Sequence, residues 1–177
     1  MKIVESQETE IHGIIHLDTK LLERVSFTRN GKKYVIFTNG NSWYIPTLIT
    51  NLLASAKVHE PDHEILVYCT DKEGYDMCST LEFPHYNYVK FNGELSNVRN
   101  LSSNTPGGSV GYTQLCFVKI RIVSALIHLG YTPIYIDPDM TFCKPGVINE
   151  IINNSFRYTF TTCGKGIPGL INSNLMV

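Results

Sequence analysis

Two aspartates that directly follow an apolar stretch are the residues whose types and spacing best suit chemistry. Asp137 and Asp139 come after Ile134-Tyr135-Ile136, with Pro138 between them. Because proline cannot continue a central ladder, the strand should end here and leave both carboxylates at its carboxyl end. Buried carboxylates are costly unless a cation accompanies them, and hard oxygen ligands suit Mg²⁺ or Mn²⁺. The alternative is an ordinary acidic surface turn.

Three continuous apolar runs, at residues 34–38, 65–69 and 132–136, predict the central strands of an α/β fold. Apolar residues recurring at three and four positions predict helices over 43–57 and 112–129, the second closing at Gly130. We expect Ser42 to cap the first helix and Trp43 to pack on the sheet as core. This strand–helix–strand order favours a largely parallel sheet with right-handed crossovers.

Polar residues follow the first two of these strands as well. Thr38-Asn39-Gly40 ends the first, and Asp71 comes after the second. The carboxyl ends of parallel strands share one edge of the sheet, where open α/β folds bind their ligands. Asp71 suits either a helix cap or a bond to a ribose hydroxyl. Residues 92–111 are rich in Ser, Asn and Gly and predict either a mobile flap ordered by ligand or a solvated connection.

The charge balance and the cysteines exclude several classes of function. Fifteen basic and sixteen acidic residues give a net charge of -1 in 177 residues, so nucleic acid is not an expected partner. The sequence contains no long apolar run, so we expect neither a signal peptide nor a membrane span. Five cysteines without a Cys-x-x-Cys pair predict free thiols, a reducing compartment and a cytoplasmic protein.

Taken in order, these features resemble the metal-dependent nucleotide-diphospho-sugar glycosyltransferases of the GT-A type. The resemblance covers roughly residues 33–177 and includes a lysine in the long helix and an apolar-flanked asparagine segment, 171–176. It implies a Rossmann-like, mostly parallel sheet flanked by helices. We expect an N-terminal arm at 1–33, a nucleotide-sugar-binding domain at 34–177, and truncation at the C-terminus.

The resemblance also implies a reaction and a set of contacts. A sugar would move from a nucleoside-diphosphate sugar, typically a UDP-sugar, to a hydroxyl of a glycan, protein or small-molecule acceptor. Asp137 and Asp139 would hold Mn²⁺ or Mg²⁺. The nucleotide sugar would be contacted by Thr38, Asn39, Gly40, Asp71, Lys119, Asp137 and Asn172.

Two alternatives stay open. The string Ile-Tyr-Ile-Asp-Pro-Asp-Met-Thr-Phe also resembles the first motif of haloacid-dehalogenase phosphatases, in which the first aspartate is the nucleophile. That chemistry requires a later acidic pair, and Glu150 is the single acidic residue after Asp139. The second alternative is a non-catalytic domain that binds a nucleotide sugar or a protein partner.

Overall fold

The chain folds into a mixed β-sheet with helices packed on both faces. The computed structural model describes the backbone of residues 8–11, 15–87, 110–154, 160–161 and 175–176, and the side chains of 19–85 and 118–153. The elements, in chain order, are β1 (Glu8–Ile11), β2 (Ile15–Asp18), α1 (Thr19–Val25), β3 (Phe27–Arg29), β4 (Lys32–Gly40), a π-helical turn (Ile45–Ile49), α2 (Thr50–His59), β5 (Ile65–Cys69), α3 (Lys72–Thr80), β6 (His85–Asn87), α4 (Val110–His128), β7 (Tyr131–Ile136), α5 (Val147–Asn154), β8 (Phe160–Thr161) and β9 (Leu175–Met176).

Within the described residues, seven strands form the main sheet, in the order β6-β5-β4-β7-β9-β8 with β3 antiparallel to β4. β4 lies parallel to both β5 and β7, and β6 lies parallel to β5. β9 runs antiparallel to β7 and to β8, so the sheet is mixed. The predicted α/β class and the three predicted central strands are confirmed. The chain winds outward from β4 through β5 to β6 and then returns as β7 on the other side of β4.

Alternating side chains of the central strands build one core on each face of the sheet. Phe37, Tyr68 and Tyr135 lie on the face covered by α1 and α4, which is called the α4 face below. Ile36, Ile134 and Ile136 lie on the face covered by α2 and α5. Because side chains alternate along a strand, residues two positions beyond Phe37 and Tyr135 extend the α4 face past the core. These residues are Asn39 and Asp137.

The turn between β4 and α2 differs from its prediction. Asn41, not Ser42, caps the turn, since its Oδ1 accepts from Trp43 N at 3.1 Å and from Tyr44 N at 3.3 Å. The helix then begins as a single π turn, in which Ile49 N donates to Tyr44 O at 3.0 Å. Trp43 therefore precedes the apolar stripe and is 58% exposed, so the prediction that it packs as core is wrong.

Residues before position 34 contribute to the same core. Leu22 and Val25 of α1 are buried in the core on the α4 face of the sheet, and β3 pairs with β4. The proposed domain boundary at residue 34 stays a prediction. In the described part of the chain, no helix combines the length and the apolar character needed to cross a bilayer.

Candidate functional site

Asp137 lies just past the carboxyl end of β7, beside β4 and beneath α4. Its carboxylate has two close partners that approach the same oxygen. Lys119 Nζ of α4 lies 3.6 Å from Asp137 Oδ1, and the Tyr135 hydroxyl donates a hydrogen bond to that atom. The side chains of Lys119 and Asp137 are only 10% and 18% exposed. The structure thus brings two of the predicted site residues together in a shielded ion pair.

Burial raises the pKa of Asp137 above its ordinary value. The Tyr135 hydrogen bond and the Lys119 ammonium lower that pKa, and the neighbouring Asp139 carboxylate raises it again, with burial the largest influence. The net direction is upward, so folding disfavours the charged form despite the Lys119 cation. A second cation at this carboxylate would relieve that cost.

The upward shift of the Asp137 pKa predicts how the substitution Asp137→Asn changes stability with pH. A carboxyl whose pKa is raised by folding carries no penalty well below its unfolded pKa, and the penalty grows as pH rises through the folded pKa. The variant should therefore be more stable than wild type at pH 7, by about 1.4 kcal/mol for each pKa unit of the shift, and this difference should shrink as the pH falls to 4. Urea unfolding at the two pH values measures the difference.

Asp76→Asn serves as the control for this prediction. Asp76 is an exposed carboxylate of α3 that pairs with Lys72 at 2.7 Å, so its removal should change stability little at either pH. A lower stability of Asp137→Asn than of wild type at pH 7 would contradict the prediction and show that the Lys119–Asp137 pair stabilises the fold.

Asp139 directly follows Pro138 and is exposed. Among the described side chains, no group of three or more His, Cys, Asp or Glu residues gathers at one point. A cation held here would thus rely on Asp137 and Asp139 and would take its remaining ligands from water or substrate. Magnesium commonly binds in this way, through one or two carboxylates and substrate phosphates.

Buried polar atoms occur at the same edge of the sheet. Asn39 Oδ1 and Thr70 Oγ1 are buried and have no hydrogen-bond partner within the described residues, and Thr38 Oγ1 shares this property. Such atoms are rare in folded proteins and call for a partner. Asn39 is the penultimate residue of β4, and Thr70 directly follows β5, two residues beyond Tyr68. Both therefore fall on the α4 face, as Asp137 does.

Gly40 allows close packing at the end of β4. A Cβ at this position would lie 2.7 Å from Ile49 Cδ1 and 3.2 Å from Tyr44 Cβ. A larger residue here would have to displace the end of the Ile49 side chain and press on Tyr44, so glycine suits the close packing of the π turn on the strand end. This packing gives Gly40 a structural role, and its predicted contact with a nucleotide sugar stays a prediction.

Asp71 is engaged in structural contacts. One of its oxygens accepts from Gly74 N at 2.7 Å and caps α3, and the carboxylate also accepts from Ser42 N at 3.0 Å and from Ser42 Oγ at 2.9 Å. The side chain therefore ties the turn after β4 to the start of α3. Its proposed bond to a ribose hydroxyl stays a prediction beside this structural role.

Replacing Asp71 by alanine should destabilise the protein. Loss of the cap alone costs about 1 kcal/mol, and three backbone and hydroxyl donors lose their acceptor, so we expect a total of about 2–3 kcal/mol. Chemical denaturation checks the value, and Asp71→Asn should retain part of the stability. A loss below about 0.5 kcal/mol, the level of an ordinary surface substitution, would contradict the structural role.

Helix α2 anchors the segment that follows the two aspartates. Ser55 Oγ accepts from Phe142 N at 3.0 Å, and the Phe142 ring is buried against the α2 face. Glu60, itself only 5% exposed, accepts from Ile148 N at 3.2 Å at the start of α5. The segment 142–148 is thus fixed at both ends, which holds the turn after Asp139 in place.

Sequence patterns missed several residues of this site. No motif or spacing in the sequence marked four of them: Ser55, Glu60, Thr70 and Tyr135. For Tyr135 one indication was available, because the hydroxyl of a tyrosine on a buried strand needs a hydrogen-bond partner and Asp137 follows two residues later. Asn172 and most of the predicted flap at 92–111 lie outside the described residues.

The region that builds this edge of the sheet is similar to a known family. The sequence model of the nucleotide-diphospho-sugar transferase family matches residues 62–145. The matched region begins before β5 and includes Asp71, Lys119, Asp137 and Asp139, whereas Thr38, Asn39, Gly40 and Asn172 lie outside it. No curated protein matches the chain significantly. The family match supports a place for this chain in the nucleotide-diphospho-sugar transferase superfamily, and with it a general function in sugar transfer.

Proposed function

We propose that the chain is a metal-dependent glycosyltransferase of the GT-A type that uses a nucleoside-diphosphate sugar, with a UDP-sugar as donor. The observation that carries the proposal is the position of Asp137. It lies at the carboxyl end of β7, beside β4, where the winding of the sheet reverses, and inside the matched region. Open α/β sheets bind ligands in the crevice at such a point.

The residues at this edge fit a divalent cation. Asp137 and Asp139 are hard oxygen ligands, and the raised pKa of Asp137 indicates a carboxylate whose charge is under-compensated. Both would hold Mn²⁺ or Mg²⁺. When bound, the ion offsets the negative charge that develops on the departing diphosphate.

The other residues of the edge suit the remainder of the donor. The Lys119 ammonium lies on the α4 side of Asp137, where it would attract the diphosphate. Asn39 Oδ1 and Thr70 Oγ1 would accept hydrogen bonds from N–H or O–H groups of the nucleoside. Trp43, exposed in the turn after β4, offers a face on which a base or sugar ring could stack.

In the transfer, an acceptor hydroxyl forms a bond to the anomeric carbon while that carbon's bond to the diphosphate oxygen breaks. The hydroxyl proton passes to the departing diphosphate or to water, and the nucleoside diphosphate leaves with the bonding electron pair. The residues described here bind and orient the donor and shield the reacting centre. Both stereochemical outcomes at the anomeric carbon are compatible with this arrangement.

Release of UDP from UDP-sugars tests the proposal. A panel of UDP-sugars incubated with the chain and Mn²⁺ should yield UDP slowly, by transfer to water, and a chelator should stop the release. Binding without any release would favour the non-catalytic alternative. Cleavage of a generic phosphomonoester with no release of UDP would favour the phosphatase.

A further inference from the structure

Tyr135 contacts three neighbours on the α4 side of the sheet: Phe37, Lys119 and Asp137. Its ring is 2% exposed and lies 5.2 Å, centroid to centroid, from the ring of Phe37. Lys119 Nζ lies over the same ring, 4.8 Å from its centroid. The hydroxyl at the end of the ring donates to Asp137 Oδ1.

The sheet fixes the position of this ring. Tyr135 pairs with Phe37 in the parallel register of β7 and β4, so the two rings are neighbours on one face of adjacent central strands. Tyr68 closes the row on the far side, with its ring 5.7 Å from that of Phe37. A ring packed in such a row has little rotational freedom, so its hydroxyl is held at a fixed point beneath Asp137.

We propose that Tyr135 is a positioning residue that sets the orientation of the Asp137 carboxylate for a divalent cation. The inference rests on the proposed function. The hydroxyl and the Lys119 ammonium both approach Oδ1, so Oδ2 is the oxygen of the carboxylate left to meet an ion. The face of the Tyr135 ring meanwhile keeps the Lys119 ammonium beside the carboxylate. A carboxylate ligand so restrained loses less freedom when it binds an ion.

The substitution Tyr135→Phe separates this role from packing. Phenylalanine keeps the ring, and with it the contacts to Phe37 and to the Lys119 ammonium, and removes only the hydroxyl. Groups that orient a metal ligand typically change metal affinity by about 10–100-fold when lost. We expect a loss of affinity for Mn²⁺ of that size.

The test is a calorimetric titration of Mn²⁺ into the full chain with UDP at a fixed, saturating concentration. Tyr135→Phe should bind Mn²⁺ about 10–100-fold more weakly than wild type, and excess Mn²⁺ should restore full binding of UDP. Tyr34→Phe is the matched control. Tyr34 is a buried tyrosine of β4 on the opposite face of the sheet, and its variant should bind Mn²⁺ as wild type does.

Each other outcome overturns the inference in a distinguishable way. Equal Mn²⁺ affinity of Tyr135→Phe and wild type removes the positioning role and leaves the proposed function standing. A lowered melting temperature together with UDP binding that excess Mn²⁺ cannot restore would show a purely structural role. If wild type itself shows no Mn²⁺-dependent binding of UDP, both the inference and the proposed function fail.

Discussion

Replacing Asp139 by asparagine should abolish Mn²⁺-dependent binding of UDP while leaving the fold intact. Asp139 is exposed, and among the described residues its side chain makes no hydrogen bond or ion pair. The substitution therefore removes a ligand charge without removing a structural contact. Loss of a metal ligand should cost more than the roughly 10–100-fold that follows loss of a group orienting one.

The stability of this variant should match or exceed that of wild type. Asp139 raises the pKa of Asp137, which means that the two carboxylates repel each other when no cation is bound. Asparagine has the same shape and no charge, so the repulsion disappears. Melting temperatures measured beside the UDP titrations test both halves of the prediction.

Asp62→Asn provides the matched control. Asp62 is an exposed aspartate between α2 and β5, near the amino end of β5, so its loss changes net charge equally but at the opposite edge of the sheet. It should leave UDP binding unchanged. If the Asp-x-Asp turn is purely structural, Asp139→Asn should lower stability and leave UDP binding unaltered. That result would contradict the interpretation of the two aspartates as a metal site.

Replacing Phe37 by alanine should have the largest effect on stability. Phe37 is fully buried at the centre of β4, with Tyr68 on one side and Tyr135 on the other. Removing a buried phenylalanine leaves a cavity and typically costs about 3–5 kcal/mol. Because Tyr135 loses the ring that packs against it, Mn²⁺ affinity should fall as well.

Urea unfolding measures this loss, with Phe37→Leu as a milder variant should the alanine variant fail to fold. Val58→Ala is the control, since Val58 is 72% exposed on α2 and its truncation should change stability by less than about 0.5 kcal/mol. A cost for Phe37→Ala below about 1 kcal/mol would contradict the central place of the aromatic row in the core.

The sequence was sufficient to predict the strands and helices that position the site. Runs such as residues 65–69 are apolar at every position, which burial on both faces of a sheet requires, and β5 spans those residues. The long helix closes at Gly130, as predicted, with φ at +83°, a conformation that glycine adopts without strain. Local pattern and tertiary structure agree in these elements.

The helix cap after β4 and the long-range anchors of the site could not be predicted, because the local sequence pattern allows more than one arrangement of them. Asn41 and Ser42 are both good cap residues. The Ser42 hydroxyl instead donates a hydrogen bond to Asp71, which lies 29 positions further along the chain. The anchors Ser55 and Glu60 reach partners 87 and 88 positions away. Neighbours brought together only by the fold decide such contacts, so no window along the sequence contains them.

The most direct test of the central claim is a titration of UDP into the wild-type chain with and without Mn²⁺. We expect saturable binding with Mn²⁺, a large loss of affinity when the ion is chelated, and a rise in melting temperature that needs both UDP and the ion. Binding of UDP that is identical with and without Mn²⁺, or no binding in either condition, would contradict it.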